Sequence, residues 1–200
     1  MKPLLYLHGF ISSPASRKAV MLGDYVRGQA PGVEYLVPAL HHRPAEAIAQ
    51  VHSICDERHP ADLLVVGSSL GGFYATVAAA RAGCRAVALN PAVHPQRHFE
   101  RYLGPQQNLY TGARFDLTPG HVAELAAIDP PAITRPDRYW LIVETGDEVL
   151  DYREAVSYYA GAFQSVVQGG DHALSSFAEF VPDIVAWALG GGPRAGRATA

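Results

Sequence analysis

Short apolar runs alternate with helical patterns along most of this chain. Most of the runs are continuously hydrophobic, which is typical of strands covered on both faces of a sheet. Between them, apolar residues recur at helical spacing, as in Ala15, Ala19, Leu22 and Val26. This rhythm predicts a parallel sheet whose strands are joined by crossover helices. We expect strands at about residues 3–7, 34–37, 62–66, 85–89, 139–144 and 164–167.

Two stretches interrupt the alternation. Residues 91–138 contain turn residues and short helical patterns but no clear strand, so we predict a cap-like insertion over the carboxyl edge of the sheet. Residues 190–200 are rich in glycine and alanine and are predicted to form a flexible C-terminal tail. The remaining organisation predicts a single domain over residues 1–189.

Composition argues against several classes of protein. The chain carries 16 Lys and Arg against 19 Asp and Glu, a net charge of −3, which argues against nucleic-acid binding. No apolar run approaches the ~20 residues needed to cross a bilayer, and the first residues lack the pattern of a signal peptide. Cys55 and Cys84 are too few for a disulfide framework or a zinc ribbon. We therefore expect a cytoplasmic protein without membrane or nucleic-acid partners.

The most informative motif is Gly67-Ser68-Ser69-Leu70-Gly71. It follows the apolar segment 63–66 and precedes a helical pattern, which is the strand–turn–helix context of a nucleophilic serine. A sharp turn there needs glycine two residues before and after Ser69, and it exposes the serine hydroxyl beside a helix N-terminus. A connecting turn without chemistry is the alternative. A phosphate-binding loop is not indicated, because the glycine-rich patterns of such loops are absent.

A nucleophilic serine needs a base, and the base needs an orienting carboxylate. In this type of site the chain order is serine, acid, histidine, and His172 is the one histidine beyond the fifth predicted strand. The loop after that strand offers Asp147, Glu148 and Asp151. We choose Asp147, which comes first out of the strand, keep Asp151 as the alternative, and interpret Glu148 as a solvated charge.

Acyl transfer also needs backbone N–H groups that stabilise the developing oxyanion. Leu70, which follows the serine, can supply one of them. The loop after the first strand, His8-Gly9-Phe10, can supply the other through the Phe10 N–H, because Gly9 lets the backbone approach closely. Loss of one such donor raises the reaction barrier by on the order of 3 kcal/mol.

Further motifs accompany the serine motif in order along the chain. They are Leu5-Tyr6-Leu7-His8-Gly9-Phe10, Gly67-Ser68-Ser69-Leu70-Gly71-Gly72-Phe73-Tyr74-Ala75-Thr76, Asn90-Pro91-Ala92-Val93, Tyr110-Thr111-Gly112, Thr145-Gly146-Asp147-Glu148-Val149-Leu150-Asp151-Tyr152 and Gly170-Asp171-His172. Together they resemble the YqiA-type bacterial esterases, which are small α/β-hydrolases, over about residues 3–187. The resemblance implies hydrolysis of carboxylic esters and supports Ser69, Asp147 and His172 as the catalytic triad. Residues 95–98 and 173–174 depart from the family pattern and affect the shape of the acyl pocket.

The resemblance also implies a particular sheet. In larger α/β-hydrolases an antiparallel pair of strands precedes the strand that carries His-Gly, whereas residues 1–2 alone precede it here. We therefore predict an α/β-hydrolase fold reduced to a parallel six-stranded sheet in the order 2-1-3-4-5-6. Helices cover both faces, a short cap is inserted, and the site lies at the carboxyl edge.

The remaining histidines and the cysteines give weaker signals. The spacing of His41-His42, and of His94 with His98, is compatible with a metal, but no HExxH motif and no convergent carboxylates accompany them. We predict no metal and no cofactor. Cys55 and Cys84 are predicted to be small core residues.

These patterns predict a serine hydrolase that cleaves short-chain carboxylic esters through an acyl-enzyme on Ser69. The same triad serves thioesterases, peptidases and acyltransferases, which stay open as alternatives, as does a non-catalytic binding protein on this fold. The expected partner is a small-molecule ester, and the sequence does not decide the oligomeric state. The residues of the insertion expected to line the acyl pocket are Phe99, Tyr102, Tyr110 and Phe115.

Overall fold

A six-stranded parallel sheet forms the centre of the computed structural model, which describes residues 1–193. The strands are β1 (Lys2–Leu7), β2 (Val33–Leu36), β3 (Leu64–Ser68), β4 (Arg85–Leu89), β5 (Gly104–Gln107), β6 (Arg114–Leu117), β7 (Tyr139–Glu144) and β8 (Phe163–Val167). The sheet order is β2-β1-β3-β4-β7-β8, with every neighbouring pair parallel. Strands β5 and β6 form a separate hairpin, so β7 and β8 are the fifth and sixth strands of the main sheet. The order is therefore the predicted 2-1-3-4-5-6, and the prediction is confirmed.

Helices pack on both faces of this sheet. They are α1 (Arg17–Gln29), α2 (Pro44–Asp56), α3 (Leu70–Ala82), α4 (Gln96–Phe99), α5 (Pro119–Ile128), α6 (Tyr152–Tyr158) and α7 (Phe177–Ala188). One buried cluster joins α1 and α7 to the sheet through residues such as Leu22 and Ile184. The other joins α2, α3 and α6 to the opposite face, through residues such as Val51 and Ala155.

The two-faced burial explains the continuous hydrophobic runs. In β3, Leu64 and Val66 belong to the cluster with α1 and α7, whereas Val65 belongs to the cluster with α2 and α3. Alternate side chains of a strand point to opposite faces, so a strand covered on both sides must be apolar at every position.

The helix that follows β3 begins directly after the turn that carries Ser69 and ends at a glycine. It starts at Leu70, directly after Ser69, and its C-cap is Gly83, whose φ of 72° is left-handed. Glycine adopts that conformation without a Cβ penalty. The first turn of α3 thereby lies at the carboxyl edge of the sheet, where the loops after β1, β7 and β8 also lie.

The insertion 91–138 contains a hairpin that the sequence analysis did not predict. Strands β5 and β6 pair antiparallel. The expectation of no strand in this segment was wrong, because β5 reads Gly-Pro-Gln-Gln and lacks the β-branched and aromatic residues typical of strands. The Asn108 side chain stabilises the connecting turn by accepting the N–H groups of Tyr110 and Thr111 at 2.9 and 3.0 Å.

Several sequence expectations concern the chain as a whole. Cys55 and Cys84 are buried and unpaired, as predicted for core residues. Within residues 1–193, no helix is long and apolar enough to cross a membrane. Of the predicted tail, residues 194–200 lie outside the described part of the chain, so its flexibility stays a prediction. The single domain over residues 1–189 also stays a prediction.

Candidate active site

Ser69 lies in a sharp turn between β3 and α3. Its backbone has φ 56° and ψ −121°, a conformation that L-residues rarely adopt. A Cβ on Gly67 would lie 2.0 Å from the Gly71 carbonyl oxygen, and a Cβ on Gly71 would lie 2.1 Å from the Leu7 carbonyl oxygen. The requirement for glycine at both positions therefore has a direct steric cause.

The side chains of His172 and Asp147 meet Ser69 at the carboxyl edge of the sheet. Ser69 Oγ lies 3.1 Å from His172 Nε2. His172 Nδ1 lies 2.8 and 2.9 Å from the two carboxylate oxygens of Asp147. With Nδ1–H donating to the carboxylate, Nε2 is left to accept the serine hydroxyl proton. The structure thus brings together the three side chains that the sequence analysis selected.

The surroundings of Asp147 favour its charged form. Its side chain is 2% exposed, and Oδ1 accepts the N–H groups of Val149 and Leu150, each at 2.9 Å. Burial raises the pKa of the Asp147 carboxyl, but the hydrogen bonds from His172 and from these N–H groups outweigh it and hold the pKa below its usual value. A negative charge therefore faces His172 Nδ1 at neutral pH.

The other two carboxylates of this loop have different partners. Asp151, the alternative acid, caps α6 by accepting the Arg153 N–H at 3.0 Å and also binds the Arg153 guanidinium. Glu148 is exposed, but its carboxylate accepts the backbone N–H of His172 at 2.9 Å. The interpretation of Glu148 as a solvated charge was therefore incomplete, since this carboxylate also holds the histidine loop.

The two residues predicted to donate to the oxyanion are near Ser69 in different ways. Leu70 is the first residue of α3, where backbone N–H groups have no partner within the helix. On the other side, Gly9 packs so closely that a Cβ there would lie 3.3 Å from Ser69 Cβ and 3.8 Å from Ser69 Oγ. Phe10 follows in the chain and lines the same cavity as Ser69.

His8 fixes the peptide that carries the Phe10 N–H. Its Nε2 lies 3.0 Å from the Leu40 nitrogen and its Nδ1 lies 3.0 Å from the Gly9 carbonyl oxygen. Since the Leu40 N–H can donate but not accept, we assign Nε2 as the acceptor and Nδ1–H as the donor to Gly9. The Gly9 carbonyl and the Phe10 N–H share one peptide plane, so this bond sets the direction of the N–H. Burial lowers the pKa of the His8 imidazole, which favours this neutral form.

Two buried polar residues to which the sequence analysis assigned no role support the loop of His172. Glu144, the last residue of β7, accepts the N–H groups of Asp171 and Ser176, each at 2.7 Å. Asn90, just after β4, donates from Nδ2 to the Asp171 carbonyl at 2.9 Å and accepts the Glu144 N–H at 3.0 Å. The sequence did contain a signal for both residues, because each is a polar residue directly at the end of an apolar strand. Polar groups in such positions are buried only when they have hydrogen-bond partners.

Glu144 is a fully buried charge surrounded by donors. Its relative exposure is 0%. Burial raises the pKa of its carboxyl, but hydrogen bonds from the Ser176 side chain and from the backbone N–H groups of Asp171, Ser176 and Ser175 outweigh this effect and lower the pKa below its usual value. A Cβ on Gly170 would lie 2.0 Å from Glu144 Oε2. Glycine at position 170 is therefore required for the loop to close over the carboxylate.

A cavity of about 380 Å³ opens beside Ser69 and His172. Of the four aromatic residues expected to line it, Tyr110 does so, at the tip of the β5–β6 hairpin. The expectation was wrong for the other three, because they pack around Phe10 in the loop after β1 instead. The ring centroids of Phe99, Tyr102 and Phe115 lie 5.0, 6.4 and 5.9 Å from that of Phe10.

The two histidine pairs singled out in the sequence make local contacts. His94 Nδ1 lies 2.6 Å from Asp129 and His98 Nε2 lies 3.4 Å from Glu154, so the two rings face different carboxylates. The rings of the pair at positions 41 and 42 lie against each other, with centroids 4.3 Å apart. In the part of the chain that the structure describes, no three metal-binding side chains come together.

The sheet is parallel and has the strand order of an α/β-hydrolase. A serine lies in a strained strand–helix turn, and a histidine lies at the same edge of the sheet. Together these features define an α/β-hydrolase fold. Within that class, the family model described as "Uncharacterised protein family (UPF0227)" matches residues 3–189. The chain belongs to this family, which is the YqiA family indicated by the sequence motifs.

Relatives within the family are distant. A UPF0227 protein of Yersinia enterocolitica is 30% identical over 94 residues, which cover 46% of this chain and 52% of the relative. A UPF0227 protein of Vibrio atlanticus is 24% identical over 96 residues, which cover 48% of this chain and 54% of the relative. The matched region thus spans about half the length of these curated relatives.

Solved structures share the fold at low sequence identity. Est1E from Butyrivibrio proteoclasticus with bound ferulic acid superposes with a TM-score of 0.70 at 15% identity, over 94% of this chain and 88% of that one. The esterase domain of a Rhodothermus marinus protein has a TM-score of 0.65 at 20% identity, over 94% and 86% of the two chains. Mouse alpha/beta hydrolase domain-containing protein 10 has a TM-score of 0.66 at 16% identity, over 90% and 86%.

Proposed function

We propose that this protein is a serine esterase that hydrolyses short-chain carboxylic esters through an acyl-enzyme on Ser69. The observation that carries the proposal is the chain of hydrogen bonds from Ser69 Oγ to His172 Nε2 and from His172 Nδ1 to Asp147. It lies on the wall of a cavity large enough for a small ester. The esterase names of two structural neighbours support the same class of reaction.

In the proposed acylation step, His172 Nε2 takes the Ser69 hydroxyl proton while Oγ attacks the ester carbonyl carbon. The carbonyl oxygen becomes an oxyanion that the N–H groups of Leu70 and Phe10 stabilise. When the C–O bond to the alcohol breaks, the His172 imidazolium gives its proton to the leaving oxygen. Asp147 stays ionised and stabilises the imidazolium throughout.

Deacylation repeats these roles with water. His172 removes a proton from a water molecule, whose oxygen attacks the acyl carbonyl on Ser69. The second oxyanion collapses, the bond to Oγ breaks, and the proton on His172 returns to the serine. The products are a carboxylic acid and the alcohol released earlier, so the reaction needs no metal and no cofactor.

The character of the cavity favours short acyl chains. Its apolar lining includes Leu109 and Tyr110 at the hairpin tip, but Arg17 and Lys18 line it as well. A long alkyl chain would have to lie against these charged groups rather than in an apolar channel. Each methylene that gains no apolar surroundings forfeits about 0.8 kcal/mol of binding energy, so longer chains gain little here.

A matched panel of butyryl substrates tests the proposal. We expect the 4-nitrophenyl ester to give a higher kcat/KM than the corresponding thioester or anilide. Ser69→Ala should lower kcat by at least about 10³-fold, as removal of such nucleophiles does. The control is Ser68→Ala, which alters the neighbouring serine and should keep the activity. A thioester or anilide that is clearly preferred would replace the esterase by one of the alternative hydrolases, and no turnover of any substrate would contradict the proposal.

A further inference from the structure

Two hydrogen bonds join the β5–β6 hairpin to the loop after β1. The Leu109 N–H donates to the Ile11 carbonyl at 2.9 Å, and Asn108 Nδ2 donates to the Ser12 carbonyl at 2.7 Å. Ile11 and Ser12 line the cavity of the candidate active site. The hairpin therefore contacts the loop directly after Phe10, the residue proposed to donate its N–H to the oxyanion.

The backbone of Ile11 has a conformation that needs support from its surroundings. Its φ is 47°, in the left-handed region, where a β-branched residue is a clear outlier. Strained conformations of this kind persist only where the surrounding structure holds them. The hydrogen bond from the Leu109 N–H to the Ile11 carbonyl is such a contact, and it comes from the insertion rather than from the sheet.

The Asn108 side chain acts on the turn and on the loop at once. Its Oδ1 accepts the N–H groups of Tyr110 and Thr111 at 2.9 and 3.0 Å, which fixes the turn. Its Nδ2 donates to the Ser12 carbonyl. Backbone N–H groups can only donate and carbonyl oxygens can only accept, so these partners assign the orientation of the amide. A carboxylate at this position would keep the first role and lose the second.

The segment that contains Phe10 is held on both sides. Before it, His8 Nδ1 lies 3.0 Å from the Gly9 carbonyl oxygen, and after it the hairpin binds the carbonyl of Ile11. The Phe10 ring packs edge-on against Phe115 of β6, with centroids 5.9 Å apart. Because an oxyanion donor acts only when it lies about 3 Å from the oxyanion, release of the hairpin contact would weaken its effect.

Resting on the proposed esterase activity, we infer that the β5–β6 hairpin positions the oxyanion donor of Phe10 through Asn108. Asn108 is a positioning residue, which acts on the reaction through the loop after β1. The oxyanion forms in the transition state, so a misplaced donor lowers kcat and leaves the binding of the ester nearly unchanged. The insertion thereby has a role in the chemistry besides lining the cavity.

Asn108→Asp tests this inference, because a carboxylate can still accept the turn N–H groups but places an oxygen against the Ser12 carbonyl. With 4-nitrophenyl butyrate, we expect kcat to fall about tenfold while KM changes by less than about twofold. The control Gln107→Glu makes the same change one residue earlier, where the amide donates to the Gly112 carbonyl within the hairpin, and it should keep the wild-type kcat. An unchanged kcat in Asn108→Asp, an equal fall in both variants, or a change confined to KM would overturn the inference.

Asn108→Ser covers the case in which Asn108→Asp does not fold. A serine hydroxyl can still accept the turn N–H groups, but the side chain is one atom shorter and leaves the Ser12 carbonyl without this donor. We expect the same fall in kcat at a nearly unchanged KM. A wild-type kcat in Asn108→Ser would overturn the inference as well.

Hydrogen exchange separates this inference from the proposed function. If the wild-type protein hydrolyses no ester, the proposed function fails, and exchange of the Leu109 amide, which donates to the Ile11 carbonyl, judges the hairpin contact alone. We expect this amide to exchange about tenfold faster in Asn108→Asp or Asn108→Ser than in wild type or Gln107→Glu. Equal rates in wild type and the Asn108 variants, or an equal rise in Gln107→Glu, would show that Asn108 does not hold the loop and would overturn the inference.

Discussion

The loop after β7 presents two aspartates close together in the sequence, and single-residue geometry distinguishes them. Asp147 faces the imidazole of His172, whereas Asp151 is held by Arg153 at the start of α6. We expect Asp147→Asn to lower kcat by about 10⁴-fold, because an amide no longer stabilises the imidazolium or fixes its tautomer. Asp151→Asn is the matched control and should stay within a few-fold of wild type. Steady-state measurement of kcat on 4-nitrophenyl butyrate distinguishes the two aspartates. A large loss in Asp151→Asn with little loss in Asp147→Asn would assign the acid to Asp151.

A second residue-scale prediction concerns His8, which orients the Phe10 N–H through the Gly9 carbonyl. His8→Ala should lower kcat by about 10- to 100-fold while KM changes little, because the oxyanion exists in the transition state and not in the bound ester. The exposed His59 provides the control His59→Ala. Parallel measurement of kcat and KM checks this prediction, and a change confined to KM would contradict the orienting role.

At the scale of an element, the loop after β8 depends on the buried carboxylate of Glu144. We expect Glu144→Gln to reduce the free energy of unfolding by about 2 kcal/mol at pH 7, because an amide cannot accept all of the N–H groups that the carboxylate accepts. The pKa of Glu144 is lowered in the folded state. The charged carboxylate of Glu144 therefore contributes to the free energy of unfolding at pH values above its pKa in the unfolded chain, about 4.3. This contribution is lost as the pH falls through the lower pKa of the folded state.

Urea unfolding of both proteins at several pH values measures this effect. The difference in stability should be largest near neutral pH and should narrow below about pH 4. Glu100→Gln is a matched control, since that carboxylate is exposed. A difference that stays constant down to acidic pH would show that Glu144 does not act through its charge.

The elements that could be predicted from the sequence are those in which burial imposes a recognisable pattern of residues. The four inner strands β1, β3, β4 and β7 are largely apolar because both of their faces are covered. Gly67 and Gly71 are fixed by contacts that exclude a Cβ. The β5–β6 hairpin escaped prediction because its strands are largely polar and make no continuous core. Glu144 escaped because it ends a buried strand, where its role depends on N–H groups from a loop distant in the sequence.

At the scale of the whole molecule, the loops at the sheet edge, the hairpin tip and α1 together line the cavity in which we propose that the acyl chain binds. We expect kcat/KM to decline as the acyl chain lengthens from acetate to palmitate, because added methylenes meet charged rather than apolar walls. An acyl series of 4-nitrophenyl esters, assayed both below and above their micelle thresholds, measures this decline. Efficiency that rises steadily to the longest chain, or that increases abruptly above the micelle threshold, would instead indicate a lipase.

Active-site labelling tests whether Ser69 is the nucleophile of the proposed reaction. A fluorophosphonate reacts with a serine only when that serine is activated by its base and by oxyanion donors. We expect mass spectrometry of the treated wild-type protein to find one adduct on the peptide containing Ser69. The adduct should be absent from Ser69→Ala but retained in Ser68→Ala. Folded wild-type protein that remains unlabelled, or that is labelled at another residue, would show that Ser69 is not the activated nucleophile.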